Sequence, residues 1–431
     1  MTVTEMFSSF LDNLKIENAD KISNQYEEIT SCLNKKFRDT ESRTANSLQV
    51  GSYGRYTGIK GISDLDMLYI MPKSEWDTYK DGKQAKLLSD VRAAIQNRYP
   101  TSNVKVDSPV VRIEFTNFHV EVLPVFEEQG DDGILQYQFP DTHKGGRWRT
   151  TKPRHEIAAM KEFVDQKNKN LRKLCKMGRA WKNKHGVYMG GLLIDTLAYN
   201  FLKSTDTYDN KGEASYGELC RDFFEFLMNQ PNQDHYQALG SNQDVKVRKK
   251  FQRKARKAYK LTLKAIESGT ENIANQKWKK VFGRPFPAAI QDNALKSSHT
   301  WRNTEQFIED EHSIDIRYGI DMDCDVIKQD GFRAGALRAM LTTGIRITPK
   351  RRLKFTVTSC DVPPPYTLKW KVLNRGEEAQ RRDCIRGQIF VDTGTKSNNE
   401  TADFKGEHVV ECYAIKNNVV VAKSRISVPI E

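Results

Sequence analysis

The segment GSYGRYTGIKGISDLDMLYIMP, Gly51 to Pro72, sets a small-residue turn and a basic, glycine-rich loop ahead of Asp-Leu-Asp in a run of strand formers. Alternate side chains of a strand share a face, and each residue advances about 3.3 Å, so Asp64 and Asp66 present two carboxylates side by side. Adjacent anions repel, and a protein tolerates them best where divalent cations neutralise them. Two Mg²⁺ ions, with Mn²⁺ as a substitute, are the ordinary occupants of such a site. A third carboxylate completes it. Glu114 and Glu121 flank the turn signal Thr116-Asn117 in VVRIEFTNFHVEVLPVF, and Glu121 lies between Val120 and Val122. An acid there is costly unless a metal or base pairs with it, so Glu121 is the choice. Ahead of the aspartates, Gly51 lets the backbone approach a phosphate and Ser52 adds a hydroxyl. Arg55, Thr57 and Lys60 follow in position to serve a phosphate tail.

Composition sets the frame. The 431 residues hold 38% hydrophobic side chains, with mean hydropathy −0.68, enough for two or three cores and too polar for a membrane protein. No apolar run approaches the roughly 20 residues that span a bilayer. MTVTEMFSSFLDNLKIENAD, the first twenty residues, has neither a basic start nor a small-residue cleavage site, and a cytoplasmic location is expected. Seven cysteines (32, 175, 220, 324, 360, 384 and 412) are scattered without a Cys-x-x-Cys pair and read as reduced thiols. The formal charge of +13 suits a polyanionic partner, nucleotides first, with nucleic acid allowed but not required. Lys246 to Lys264 contains no acid, and Phe251, Ala255, Ala258 and Thr262 recur at helical spacing, which reads as an amphipathic helix with a basic wet face.

The texture of the chain changes along its length. Residues 1–48 look helical, and 49–126 switch to short strand-like runs with a helix near Ser89 to Asn97. Helical patterning returns from about 155 to 280. FGRPFPAAIQDNALKSSHTWRNTEQ has no sustained period and reads as a tether. Beyond residue 312, β-branched runs split by PPP, RGEE, TGTKSNNE and KNN read as a separate sandwich. The expected domains are a catalytic lobe at 1–155, a helical lobe at 156–287, a linker at 288–311 and a β-rich domain at 312–431.

The Gly-Ser turn, Asp64-x-Asp66 and HVEVLPVF together resemble the polymerase-β-like nucleotidyltransferases, and more closely the bacterial cGAS/DncV-like group, the CD-NTases or SMODS proteins. FPDTHKGGRWRTTKPRHEI, LRKLCKMGRAWKN and WKKVFGRPFP extend the resemblance over most of residues 1–287. It implies an α+β chain: a polymerase-β-like core with a helical lobe, followed by the separate β-sandwich-like domain. It also makes Lys176 and Arg179 clamps for the triphosphate of an NTP, ATP or GTP. The C-terminal runs PPPYTLKWKVLNRGEEA, IRGQIF and GEHVVECYAI resemble the AGS-C domain, a presumed sensor. Trp370, Asn374, Arg386 and His408 are its candidate ligand contacts or, on the plainer reading, residues that hold a sandwich together. The chain departs from the family pattern twice. The third acid is Glu121 where many relatives carry Asp, and Gly191-Leu192 stands where many carry a base-stacking Ser-Tyr.

The expected activity is template-independent joining of NTPs into a cyclic di- or trinucleotide. By resemblance its setting is bacterial anti-phage (CBASS) signalling, with the product acting on a separate effector. The alternatives are a transferase that tails RNA or modifies a protein, and a catalytically silent nucleotide sensor.

Overall fold

The computed structural model describes residues 1–61, 64–116, 118–288 and 304–431. The chain divides into two compact units, one of Met1–Ala180 with Gly190–Ala288, the other of Trp181–Met189 with Ala289–Glu431.

The first unit is built on a mixed sheet of β1 (Ser47–Gln49), β2 (Asp64–Ile70), β3 (Asn103–Asp107), β4 (Val110–Glu114), β5 (His119–Gln129), β6 (Leu135–Asp141) and β7 (Arg147–Thr151). Its order is β1-β2-β5-β4-β3. The long β5 also pairs with β6, which pairs with β7. β2 and β5 run parallel, and the other neighbours are antiparallel. Alternation gives the sheet two faces. Leu65, Met67 and Tyr69 of β2 and Val120 and Val122 of β5 pack under two helices, α1 (Val3–Asn13) standing elsewhere. The covering helices are α2 (Ala19–Arg38), through Ile22, Ile29 and Leu33, and, after the single turns α3 (Gly51–Gly54) and α4 (Trp76–Tyr79), α5 (Gln84–Arg98), through Leu87, Val91 and Ile95. The opposite face carries the acids at one end and a small apolar cluster of Leu68, Val125 and Tyr137 at the other.

The rest of the first unit is helical: α6 (Pro153–Gln166), most of α7 (Asn170–His185), α8 (Gly191–Lys203), α9 (Tyr216–Met228), α10 (Gln252–Ile266) and α11 (Glu271–Phe282), with a small hairpin of β8 (His235–Gln237) and β9 (Asp244–Lys246). Phe7 and Phe10 of α1 pack against Phe282 and Phe286, closing this part. The acid-free run is shorter as a helix than its charge pattern suggests. Lys246 ends a strand, and the helix begins at Gln252, burying Ala255, Ala258 and Thr262 while Arg253, Arg256 and Lys260 are exposed.

The second unit is a sandwich. One sheet, in the order β11-β20-β19-β15-β17, joins β11 (Ser313–Ile314), β15 (Thr367–Leu373), β17 (Ile389–Val391), β19 (Gly406–Lys416) and β20 (Val419–Ile430). The other, β13-β12-β14-β18, joins β12 (Ile320–Ile327), β13 (Arg333–Ala336), β14 (Arg351–Cys360) and β18 (Ser397–Ala402). Met322, Cys324 and Phe355 from one sheet meet Trp370, Val410 and Cys412 from the other in a shared core, as two alternating inner faces require.

Two boundaries differ from the sequence reading. β10 (Thr304–Glu305) pairs with β16 (Arg386–Gly387), and Ile308 is buried, so the sandwich takes in residues that the loss of periodicity assigns to the linker. The remaining tether residues 289–303 lie outside the described residues, as does Asn117 of the turn signal. The sandwich unit also takes in Trp181–Met189, where the Asn183 side chain donates to Ile314 O (2.8 Å) and accepts from Ile316 N (3.2 Å).

Candidate active site

Strand register assembles the acids. Asp66 on β2 stands opposite Glu121 on parallel β5, and Asp64 stands opposite His119. Because Leu65, Met67, Val120 and Val122 face the helix-covered core, Asp64, Asp66, His119 and Glu121 all share the other face. Each of the three carboxylates is half-buried.

The Gly-Ser turn lies directly on Asp66. Val50 N donates to Asp66 O (2.9 Å), and Gly51 has φ +62°, the left-handed region that glycine enters at little cost. A Cβ on Gly51 would fall 1.9 Å from Asp66 Oδ2, so sterics as well as conformation require glycine. The turn is then closed from behind by Thr57 N and Gly58 N, which donate to Ser52 O at 2.9 and 3.1 Å.

Glu121 has partners that the sequence does not announce. The Arg112 guanidinium on β4, the cross-strand neighbour of Glu121, donates to His119 Nδ1 (3.2 Å), leaving the proton on Nε2, which donates to Glu121 Oε1 (3.1 Å). Glu114, the rejected candidate for third acid, stands opposite His119 and accepts from Lys105 and Asn103, both at 2.8 Å. Among the described residues, no three His, Cys, Asp or Glu side chains converge closely enough to cage an ion. The donor chemistry still fits Mg²⁺: hard carboxylate oxygens, three of them on one face of adjacent strands.

The residues expected at the phosphate tail divide into two groups. Lys176 is half-buried on α7, one turn beyond Arg172, whose Nε donates to Arg55 O (3.2 Å) and whose guanidinium lies 4.8 Å from the Tyr56 ring centroid. Burial, and then the positive charges of Arg172, Lys15 and Arg179, hold the Lys176 ammonium below its ordinary pKa, so an anion arriving there would be welcome. Thr57, Arg55 and Arg179 turn instead to Asp195 on α8, a residue with no exposed surface. Asp195 Oδ2 accepts from Arg55 Nε (3.0 Å), Thr57 Oγ1 (3.0 Å) and Arg179 Nη2 (2.9 Å), and Oδ1 accepts from Arg179 Nη1. Arg55 also pairs with Glu156 (2.9 Å), whose carboxyl burial pushes up against the pull of Arg55. Lys60 lies in a surface pair with Glu17. The signal for Asp195 was a lone acid inside the apolar helical run GLLIDTLAY.

In the second unit, Trp370 Nε1 donates to Asp392 (2.8 Å), Asn374 N to Arg386 O (3.1 Å), Arg386 pairs with Glu400, and His408 Nε2 lies 3.2 Å from Phe404 O. Each of the four candidate ligand contacts thus has a partner within the sandwich.

A mixed sheet backed by helices, with paired strand carboxylates beneath a Gly-Ser turn, defines a nucleotidyltransferase. The model of the Second Messenger Oligonucleotide or Dinucleotide Synthetase (SMODS) domain matches residues 1–163, and that of the Adenylyl/Guanylyl and SMODS C-terminal sensor domain matches residues 302–431. The chain is therefore a SMODS-type nucleotidyltransferase of the cGAS/DncV-like group, carrying an AGS-C domain. The fold is also that of CdnC from E. coli MS115-1. The structure of CdnC with ATP is 16% identical, with a TM-score of 0.51 over 67% of this chain and 99% of that one. The CdnC:HORMA-deltaN complex is likewise 16% identical, with a TM-score of 0.50 over 66% of this chain and 98% of that one. No curated protein sequence matches the chain.

Proposed function

We propose that this enzyme joins NTPs without a template into a cyclic di- or trinucleotide, with Asp64, Asp66 and Glu121 holding two Mg²⁺ ions. The observation that carries the reading is the register of Asp66 against Glu121 under a turn that only glycine can make. Bound there, the metals supply a lowered hydroxyl pKa at the nucleophile and neutralise charge on the leaving phosphates.

The chain's own groups do the rest. Gly51 and Ser52 bring backbone and hydroxyl donors to the triphosphate, and Lys176, beside Arg172, draws in its negative charge. A 3′- or 2′-hydroxyl oxygen of one nucleotide forms a bond to the α-phosphorus of the next as the bond to the β-phosphate oxygen breaks. Pyrophosphate carries off the electron pair, and the hydroxyl proton passes to a carboxylate or to water. Turning the linear product in the pocket and repeating the step closes the ring. Arg112 and His119 hold Glu121 until it turns to its metal. ATP and GTP are the favoured substrates by family. The setting we infer is cytoplasmic anti-phage signalling in which the product activates a separate effector. Among the described residues no helix is long and apolar enough to cross a membrane.

The basic outer face of α10 supports a second reading, nucleotide addition to RNA along that track. One assay tests both. The protein is incubated with labelled NTPs and Mg²⁺ or Mn²⁺, with and without RNA, then treated with phosphatase and a 3′–5′-specific nuclease. Phosphatase-resistant small products support cyclisation. Extension that depends on RNA replaces it with tailing, and silence favours a nucleotide sensor.

A further inference from the structure

We infer that Asp195, which no expectation placed in the site, is a positioning residue that sets the Gly-Ser turn against Asp66. The connection is continuous. Asp195 Oδ2 accepts from Thr57 Oγ1 and Arg55 Nε, each at 3.0 Å. Thr57 N and Gly58 N hold Ser52 O, and Arg55 N donates to Gly51 O (3.3 Å). Gly51 in turn lies so close to Asp66 that one added carbon would collide with Oδ2. Every link from Asp195 to the metal-binding carboxylate is thus a hydrogen bond, a covalent step or a van der Waals contact.

Three helices grip this short segment. α6 holds Arg55 through Glu156, α7 holds its carbonyl through Arg172, and α8 holds Arg55 and Thr57 through Asp195. Glu156 is itself fixed by Ser241 Oγ (3.3 Å). Arg179, donating to both Asp195 oxygens and to Gly191 O (3.1 Å), orients the carboxylate. Taking two acids and two guanidiniums out of water is expensive, and apolar residues of the same volume commonly stabilise a fold at least as well. What an ionic cluster supplies and an apolar one cannot is direction: one carboxylate fixes a hydroxyl and a guanidinium at set angles. That direction matters at the turn, where a displacement of about 1 Å can cost about 100-fold in rate. The rate consequences rest on the nucleotidyl-transfer reading; the geometric claim does not.

The test therefore has two independent arms, applied to wild type, Thr57→Val, Thr57→Ser and Asp195→Asn in the full chain. In the first, amide hydrogen exchange is followed over residues 51–58. Thr57→Val should exchange about 10-fold faster there than wild type, Thr57→Ser at the wild-type rate, and β19–β20 should be unchanged in both. In the second, kcat and KM are measured with ATP and GTP. Thr57→Val should lower kcat about 10-fold with KM little changed, as loss of one hydrogen bond to a charged group implies, and Thr57→Ser should restore it. Asp195→Asn should lower kcat about 100-fold if it folds. The Thr57 pair carries the test if it does not. Unchanged exchange over residues 51–58 in Thr57→Val overturns the inference whether or not the enzyme makes product. A raised KM at constant kcat overturns it too, because Thr57 would then be touching nucleotide. A wild-type protein that makes nothing removes the functional reading and leaves the exchange arm standing.

Discussion

Two pairs of neighbouring strands treat charge in opposite ways. On β2 and β5 of the first unit, Asp66 stands directly opposite another acid, Glu121. On β19 and β20 of the sandwich, Glu411 stands opposite Arg425, and Tyr413 opposite Lys423. Directly opposed like charges destabilise a sheet, and opposed unlike charges support it. The sandwich completes its charges internally: Glu411, almost fully buried, accepts from Tyr413 Oη (2.6 Å), pairs with Lys423 (3.2 Å) and lies 3.9 Å from Arg425. The acids of the catalytic sheet are arranged for a charge that comes from outside. The difference separates a site from a scaffold more sharply than either region does alone.

The strongest way to break this contrast is to remove the opposed acids. Changing Asp64 and Asp66 together to Ala should abolish product, a loss of roughly 1,000-fold or more, because neither metal retains its ligands. The melting temperature should not fall, since like-charge repulsion is relieved. Substantial synthesis by the folded double variant would move the site elsewhere.

Next in size is a matched pair of neutralisations. Glu411→Gln leaves Lys423 buried without its carboxylate and should cost roughly 3 kcal/mol of stability, read as a lower melting temperature. Glu121→Gln should remove most activity while leaving melting unchanged or raised, as Asp66 loses an opposing charge. If both variants melt alike, the division between site and scaffold fails. The Glu411 effect also has a pH signature. Burial pushes its carboxyl up, but Lys423 and Arg425 more than offset this and hold its pKa well below the usual range. Its contribution is therefore complete above the ordinary glutamate pKa and is lost as pH falls through the depressed one. The wild-type protein should lose its advantage over Glu411→Gln only in strong acid.

Smaller again is Lys176→Ala. Loss of one charged contact to phosphate should raise KM for NTPs about 10-fold and leave melting unchanged, because removing a cation from among Arg172, Lys15 and Arg179 relieves repulsion. An unchanged KM would take Lys176 out of the substrate site.

These residues differ in how far they could be read from the chain. Asp64, Asp66 and Glu121 are legible because strand periodicity is local: two acids at spacing two, and one acid between valines, violate the pattern wherever the strands pair. Register then brings Asp66 and Glu121 together, 55 positions apart, without any further signal in the sequence. Gly51 is legible as a turn, and only the structure shows that Asp66 fills the space of its missing side chain. Arg55 and Thr57 look like phosphate ligands for as long as nothing else claims them. Their partner Asp195 lies 140 and 138 positions away, on a helix whose pattern places it in the core without saying what it faces. The same distance hides the last turns of α7. Helical spacing continues smoothly past Ala180, but Lys182 pairs with Asp315 (3.2 Å), 133 positions on, and belongs with the sandwich.

The smallest expected effect sharpens the comparison within the sandwich unit itself. Lys184, on the α7 segment that this unit takes in, is held down to about 8, first by burial and then by the like charge of Lys423, with Arg425 adding to the effect and Glu411 and Glu309 opposing it. A lysine whose pKa is lowered in the folded state binds its proton more weakly there than in the unfolded chain. Stability therefore rises as pH climbs from about 8 towards the ordinary lysine value and is lost as pH falls back through about 8. Lys184→Met keeps the stem's packing and removes the charge. It should melt above wild type at pH 7, where the wild-type ammonium is forced to stay charged among its neighbours. The advantage should shrink steadily between pH 8 and roughly 10.5, where the wild-type amine becomes neutral in both states. Melting curves of the two full-length proteins across that range decide the matter. A constant difference would mean that Lys184 acts through packing alone, and a lower melting temperature for the variant at pH 7 would show Glu411 to be shared between Lys184 and Lys423 as a true ion-pair partner of both.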